Sequence, residues 1–415
     1  ISQLQDSRFH RRPHFIVTPR HNDALRLHQA LQFFDPTREV FVLPHYDVSP
    51  YSGLYPKHQN VAERLGFLFH LQNAKPGQIF ISSVGGVLQK TLPYQIFHQK
   101  TFHLKKGDEL PEDFAALVEH LGYISTPYTE DHGQYSRRGG IIDIFSPAHP
   151  WPLRLELFGD QIESIRGFDP VAQKSHQELS SCTVIPTREA LFDDDRLEPL
   201  LEQLRKDLHQ RQVAQEDGDE LLFQMTRQHY FSGCEFLLPY FYKKLDSVFE
   251  YANSEFFTWN LDPIELTKHS DEILSNLKEE RQTTTKAAIC PKVEDLYLSY
   301  DQFQWPIENI QFDLFGIDLS SETENDPIAL PIPYATIRDL ASTTQQFPPN
   351  STEWNHRFQT KLQLWKEDQD AIFVAVRNQN QAQRIQLALE KLGWNGQILP
   401  EDSYSWDQWV QLQRQ

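Results

Sequence analysis

The sequence predicts an α/β protein that is built on a parallel sheet and divided into more than one domain. Apolar strands alternate with amphipathic helices near the start of the chain, which is typical of parallel sheets. Strand patterns then follow one another from about residue 100 to 185, which indicates a separate α+β segment. The length of 415 residues exceeds that of one ordinary domain. No apolar run is long enough to cross a bilayer, so a membrane-spanning protein is excluded.

The first unit begins with an apolar strand, HFIVTP, that ends at Pro19. Asn22 or Asp23 can cap the helix that follows, because their side chains accept hydrogen bonds from free backbone N–H groups. The predicted elements that continue this unit are a strand at 41–43, a helix at 58–72 and a strand at 78–82.

The segments after residue 100 differ from the first unit in composition and in predicted secondary structure. A helix with proline in its first turn is predicted at 111–121, and strands continue to about residue 185. Residues 190–290 are acidic and predicted to be helical, and residues 318–350 form an irregular connector rich in Pro, Ser and Asn. The last predicted elements are a helix at 353–367, a strand at 371–376 and a helix at 379–392 with Gly393 as its C-cap.

Composition excludes several classes of function. A formal charge of −19 disfavours broad nucleic-acid binding, although arginines are concentrated in residues 1–28. Three widely spaced cysteines argue against a disulfide framework and against a zinc site, and favour a reducing, cytoplasmic setting. The first residue is Ile1 rather than Met, so we expect the chain to be an internal piece of a longer protein.

The sequence contains no convincing catalytic motif. The closest approach to a phosphate-binding loop is GGVLQKT at residues 85–91, where Gln89 stands in place of the glycine that such a loop requires. We therefore predict a strand-to-helix turn there, and neither a catalytic group nor a metal site elsewhere.

The most informative stretch is residues 137–170, which predicts a β-hairpin. Leu153, Leu155 and Leu157 alternate with polar neighbours, and Gly159–Asp160 form a two-residue turn with glycine first. The leucines should face the core, which places Phe158 and Arg154 on the outward face, as in a binding hot spot. In the alternative, Phe158 packs on a neighbouring helix and Arg154 pairs with Glu156 or Glu163.

At this hairpin the sequence resembles a known family. The segments RRGGIIDIFSPA, LRLELFGDQIESI and FDP resemble the damage-recognition protein UvrB, and resemble more closely the UvrB-homology region of the bacterial transcription-repair coupling factors (Mfd). NDALRLH, LPHYDVSPYSGLYP and FHLKKGDEL add to the match. The resemblance is specific over residues 14–188 and loose over 190–415.

The resemblance implies a fold and a domain division. A degenerate P-loop, helicase-like α/β domain would be split by an inserted α+β domain and followed by part of a third α/β domain. The implied boundaries are 1–100 and 187–335 for the two parts of the first domain, 101–186 for the insert and 336–415 for the partial third domain.

The resemblance also implies partners and site residues. The insert would dock onto UvrA through Arg138, Arg154 and Phe158, with Arg166 and Phe168 as possible supporting residues. The chain would thereby recruit UvrA to RNA polymerase stalled at lesions, without hydrolysing nucleotide itself. RNA polymerase, DNA, ATP and Mg²⁺ would be bound by regions outside this chain. A C-terminal module of the longer protein would mask the docking face in the resting state.

The principal alternative is a UvrB-like, ATP-dependent DNA damage-binding protein whose P-loop lies upstream of residue 1. Two features favour the coupling-factor interpretation. The residues IVTPRH before the first helix contain no glycine, and the chain passes from Tyr55 into the next helix without room for a DNA-clamping hairpin. Tyr46, Tyr51 and Tyr55 are therefore predicted to pack in loops and core. A weaker alternative is that the charged sheet binds DNA directly.

Overall fold

The computed structural model describes residues 11–46, 48–191, 194–210, 213–227, 231–284, 289–302, 310–314, 351–367 and 378–396, with 374, 376 and 398. The strands are β1 His14–Thr18, β2 Val40–Val42, β3 Ile79–Ser83, β4 Phe102–Lys105, β5 Ile124–Ser125, β6 Gln134–Arg138, β7 Ile141–Ile144, β8 Leu153–Phe158, β9 Gln161–Phe168, β10 Ser175–Leu179, β11 Ser181–Val184, β12 Phe257–Leu261 and β13 Ile310–Leu314. The helices are α1 His21–Phe34, α2 His58–Gln72, α3 Val84–Leu88, α4 Tyr94–Gln99, α5 Phe114–His120, α6 Asp194–Gln210, α7 Gln215–Arg227, α8 Leu238–Phe241, α9 Pro263–Thr283, α10 Val293–Leu296, α11 Thr352–Glu367 and α12 Gln379–Lys391. Short 3-10 turns lie at Cys234–Leu237, Val248–Tyr251 and Tyr300–Gln302.

A five-stranded parallel sheet confirms the predicted α/β class. Its strand order is β13-β12-β1-β3-β2, and every neighbouring pair is parallel. Successive residues of the central strands enter opposite apolar clusters. Phe15 and Phe80 lie in one cluster, whereas Ile16 and Ile81 lie in the other. Burial on both faces is what makes these strands continuous apolar runs in the sequence.

Three predictions about local structure were wrong. Strand β12 interrupts the region 190–290 that was predicted to be helical. Helix α5 begins at Phe114, because the Asp113 carboxylate accepts a hydrogen bond from the Ala116 N–H at 3.2 Å, so Pro111 precedes the helix. Helix α1 begins at His21, which places Asn22 and Asp23 in its first turn rather than at the cap, where Asp23 complements the positive end of the helix dipole.

The β-rich segment contains a second sheet of six strands in the order β10-β9-β8-β7-β6-β5. Its neighbouring strands are antiparallel, except for the parallel pair β5–β6. Strands β4 and β11 form a separate antiparallel pair. One face of the large sheet packs with α5 over an apolar cluster that includes Phe114, Val118, Ile142, Leu155 and Ile165.

A buried ion pair connects α2 with the segment that follows β11. The Arg64 Nε group lies 3.3 Å from the Glu189 carboxylate, and both side chains are fully buried. Glu189 also accepts hydrogen bonds from the hydroxyl groups of Tyr46 at 2.9 Å and Thr91 at 2.5 Å. The network therefore fixes the chain where it leaves the β-rich segment.

The described residues fall into two compact units, and the second contains α11 and α12. Helix α12 is capped by Asn378, whose side chain accepts a hydrogen bond from the Gln381 N–H at 2.9 Å, and Gly393 follows it with a φ of 81°. The predicted connector at 318–350 and most of the predicted strand at 371–376 lie outside the described residues. No helix in the described part of the chain is long and apolar enough to cross a membrane.

Candidate protein-docking face

The register of the six-stranded sheet brings the predicted site residues onto its outward face. Arg154 on β8 lies between Asp143 on β7 and Arg166 on β9. Arg138 on β6 pairs with Ile141, one row from Asp143, so the arginine is a diagonal neighbour of that carboxylate. This row of charged residues covers the side of the sheet opposite the apolar core.

Asp143 organises two of the three predicted contact residues. Its carboxylate accepts hydrogen bonds from the Arg154 Nε and Nη2 groups at 2.7 and 2.8 Å, and from the Arg138 Nη2 group at 2.7 Å. The Asp143 side chain is 1% exposed, against 17% for Arg154 and 49% for Arg138. A single buried carboxylate thus holds two guanidinium groups that reach the surface, leaving the trio with net positive charge.

Arg154 is also supported from a second side. Its guanidinium carbon lies 4.6 Å from the centre of the Phe168 ring, within the range of a cation–π contact. Hydrogen bonding to Asp143 raises the pKa of Arg154 above its ordinary value. The alternative partner set for Arg154 was wrong, because Glu156 accepts instead from Ser164 Oγ at 2.6 Å and lies 3.5 Å from Arg166 Nη2.

Phe158 lies at the end of β8 and is 79% exposed. The prediction that it faces outward is therefore confirmed, and the alternative that it packs on a helix was wrong. Gly159 follows with a φ of 63°, which the predicted turn requires of its first central residue. Phe168, in contrast, is fully buried, so its contribution to the face is the aromatic platform beneath Arg154. The assignment of all five residues to partner binding stays a prediction.

Two residues of this face escaped the sequence reasoning. Asp143 sits within the apolar run IIDIF, where a lone carboxylate on a strand could have signalled a buried charge pair. Tyr128 lies under Arg138, whose guanidinium carbon is 5.8 Å from the ring centre. Nothing in the spacing of Tyr128 indicated this contact, because it depends on how the loop before β6 folds back.

The chain turns from β1 into α1 through Pro19 and Arg20, and Thr18 Oγ1 donates to the Arg20 carbonyl at 3.0 Å. The strand-to-helix turn lies just before the GGVLQKT segment rather than within it, because β3 ends at Ser83 and α3 begins at Val84; the first four residues of the segment lie in α3 and the last three follow it. Tyr46 and Tyr51 are buried in the core, which confirms the packing prediction for them, whereas Tyr55 is half-exposed. In the part of the chain that the structure describes, no group of three or more His, Cys, Asp or Glu residues could hold a metal ion.

Comparison with known proteins decides the question of resemblance. Residues 102–189, which contain the whole docking face, match the family model described as the UvrB interaction domain. The transcription-repair-coupling factor of Haemophilus influenzae is 28% identical over 329 residues, covering 78% of this chain. The predicted resemblance is confirmed.

Two further relatives extend this finding. The transcription-repair-coupling factor of Myxococcus xanthus is 28% identical over 84% of this chain, and that of Escherichia coli is 27% identical over 58%. The matched parts cover 28% of the Haemophilus influenzae protein and 30% of the Myxococcus xanthus protein, so the chain spans less than a third of these coupling factors.

Proposed function

We propose that this chain is the UvrA-recruiting part of a protein similar to the transcription-repair coupling factors. The observation that carries the proposal is an exposed phenylalanine on the same sheet as two ordered arginines, in the segment that matches the UvrB interaction domain. The function is recognition: the face holds a repair protein close to a stalled RNA polymerase. The motor that displaces the polymerase, with its ATP, Mg²⁺ and DNA, belongs to regions outside this chain.

The chemistry of the face fits a partner with an apolar pocket rimmed by carboxylates. Phe158 offers an aromatic anchor that loses little conformational entropy on binding, because it has only two side-chain torsions. Arg138 and Arg154 offer planar guanidinium groups suited to carboxylates. The two arginines give the face a local positive charge on a chain whose formal net charge is −19, which favours an acidic partner surface.

The test is the affinity of the chain for UvrA, measured by titration calorimetry. Phe158→Ala should weaken binding by about 2 kcal/mol or more, as at interface hot spots, without lowering Tm, because the side chain is already in water. Val171→Ala is the matched control, since Val171 is another exposed apolar residue, 92% accessible, beyond the end of β9. Failure of the wild-type chain to bind UvrA, or equal effects of the two substitutions, would refute the proposal.

Arg138→Ala is the second variant of choice. It removes one hydrogen bond to Asp143 from a half-exposed side chain and leaves the two bonds from Arg154 in place. Arg154→Ala is less informative alone, because it withdraws two hydrogen bonds from a buried carboxylate and should lower stability as well as affinity.

We further propose that the degenerate helicase-like domain, split by an insert at about 101–186, does not hydrolyse nucleotide. A UvrB-like ATPase would be stabilised by about 2.7 kcal/mol at a hundredfold excess of ATP over its Kd. We expect no ATP-dependent shift in Tm for this chain, and a reproducible shift would favour the UvrB-like alternative. If a C-terminal module masks the docking face in the longer protein, this chain should bind UvrA more tightly than the full-length protein does.

A further inference from the structure

We propose that Asp143 is a positioning residue for docking, one that holds Arg138 and Arg154 in the orientation in which they meet the partner. The inference rests on the proposed function and adds a residue that touches no partner itself. Asp143 is buried at 1% exposure, so it acts through the two arginines or not at all.

The geometry supports this role from three sides. Three short hydrogen bonds, between 2.7 and 2.8 Å, fix both guanidinium groups to one carboxylate. Phe168 supports the plane of Arg154 and Tyr128 supports that of Arg138. Strands β6, β7 and β8, which carry the three charged residues, are bonded to one another in register. Each arginine is thus held by hydrogen bonds at its guanidinium group, by an aromatic ring against the plane of that group, and by strand pairing at its backbone.

An arrangement of this kind reduces the cost of binding. Long arginine side chains lose rotamer freedom when they are immobilised at an interface, and that loss subtracts from affinity. Here three hydrogen bonds to Asp143 already hold the two guanidinium groups before any partner binds. Among the described residues, Arg154 uses Nε and Nη2 for Asp143 and makes no hydrogen bond through Nη1. The Nη1 donors therefore remain for a carboxylate of the partner.

The proposal makes a prediction opposite in sign to that of net charge. Asp143→Asn removes a negative charge from a basic face, so an acidic partner would bind more tightly if charge alone mattered. If Asp143 positions the arginines, binding should weaken, because asparagine keeps only one oxygen acceptor, loses the charge that strengthens the three bonds and turns an NH2 donor toward a guanidinium donor. We expect the Kd for UvrA to rise by about tenfold or more.

The experiment is UvrA titration calorimetry on this chain with a matched control. Asp160→Asn makes the same change of charge at the exposed turn of the same hairpin, and should change the Kd by less than about twofold. Asp143→Asn is then repeated in the Arg138→Ala, Arg154→Ala double background. There it should leave affinity unchanged while it raises Tm, because it relieves a buried charge that has lost its partners.

Phe168→Leu is a second variant that keeps all three hydrogen bonds and removes only the platform beneath Arg154. It should raise the Kd for UvrA in the wild-type background and not in the Arg154→Ala background. Wild-type or tighter binding by Asp143→Asn would overturn the proposal, and so would an equal loss with and without the arginines. If wild-type chain fails to bind UvrA, the proposed function fails as well. If the wild-type chain binds UvrA and Asp143→Asn binds with the same affinity, the recruitment function stands and the positioning role is refuted.

Discussion

Replacing Glu189 by glutamine should destabilise the protein more than any surface substitution. Both Glu189 and Arg64 are fully buried, and the Arg64 Nε group lies 3.3 Å from the carboxylate. The other Arg64 donors reach backbone carbonyls, among them that of Gln89 at 3.0 Å. The arginine therefore stays in place when its counterion is neutralised, and its charge is left in the interior without compensation.

The burial of both ions sets the size of the expected loss of unfolding free energy. Breaking a buried ion pair from one side costs about 3–5 kcal/mol, because the desolvation penalty of the remaining ion is no longer offset. Glutamine also presents an amide group to the Tyr46 and Thr91 hydroxyls, which both donate to the carboxylate. For a cooperative unit of this size, such a loss corresponds to a fall in Tm of about 5–8 °C.

The assay is chemical and thermal unfolding of four proteins: wild type, Glu189→Gln, Arg64→Met and the double variant. The double variant should lose less stability than the sum of the single variants, because it leaves no unpaired charge. Glu202→Gln, which breaks an exposed pair with Lys206, is the control and should cost less than about 0.5 kcal/mol. Additive single effects, or a Glu189→Gln cost no larger than that of the control, would refute the reasoning.

Two further predictions concern stability. Gly133→Ala should cost about 2–4 kcal/mol in unfolding free energy, because Gly133 has a φ of 85° and a methyl group there would lie 2.4 Å from His58 Cε1. Gly107→Ala is the control: Gly107 has a φ of 94° but open space around it, so the substitution should cost only about 1 kcal/mol. Equal costs for the two substitutions would refute the steric argument. Burial raises the pKa of Glu235 from 4.5 to about 7, so the folded state binds the proton more tightly than the unfolded state; its contribution to stability is full below about pH 4.5 and is lost as the pH rises to about 7. Glu235→Gln should therefore raise Tm more at pH 8 than at pH 5, and parallel profiles for the two proteins would contradict the assignment.

The sequence predicted correctly those elements that are marked by neighbouring residues, such as alternating apolar side chains or a turn glycine. The hairpin of β8 and β9 was predictable because its leucines alternate and Gly159 marks the turn. Strand β12 was missed because its sequence, FTWNL, is buried at four of five positions and shows no alternation. Its partners are also distant, since Phe257 pairs with His14 on one side and Ile310 on the other. Burial on both faces of a parallel sheet removes the period that identifies a half-exposed strand.

The same distinction separates the predicted from the unpredicted parts of the site. Exposure of Phe158 follows from the alternation of one strand, whereas the partner of Arg154 depends on the register between β7 and β8. A slip of one residue would place Asp143 on the core face and leave the arginine without its carboxylate. Sequence reasoning that considered only the neighbours of Arg154 on its own hairpin therefore arrived at Glu156 and Glu163.

Exposure alone does not make Phe158 a binding residue, because Val171 is more exposed and single apolar side chains are common on protein surfaces. The difference lies in what holds each residue. Phe158 pairs with Gln161 on β9, and the N–H of the preceding Leu157 donates to the Gly140 carbonyl at 2.7 Å, so little backbone ordering remains to be done when a partner arrives. Burying the 79% of its side chain now in water could contribute up to about 4 kcal/mol, at about 25 cal/mol per Å² over roughly 160 Å². The fold does not use this free energy, and a partner with a matching pocket can.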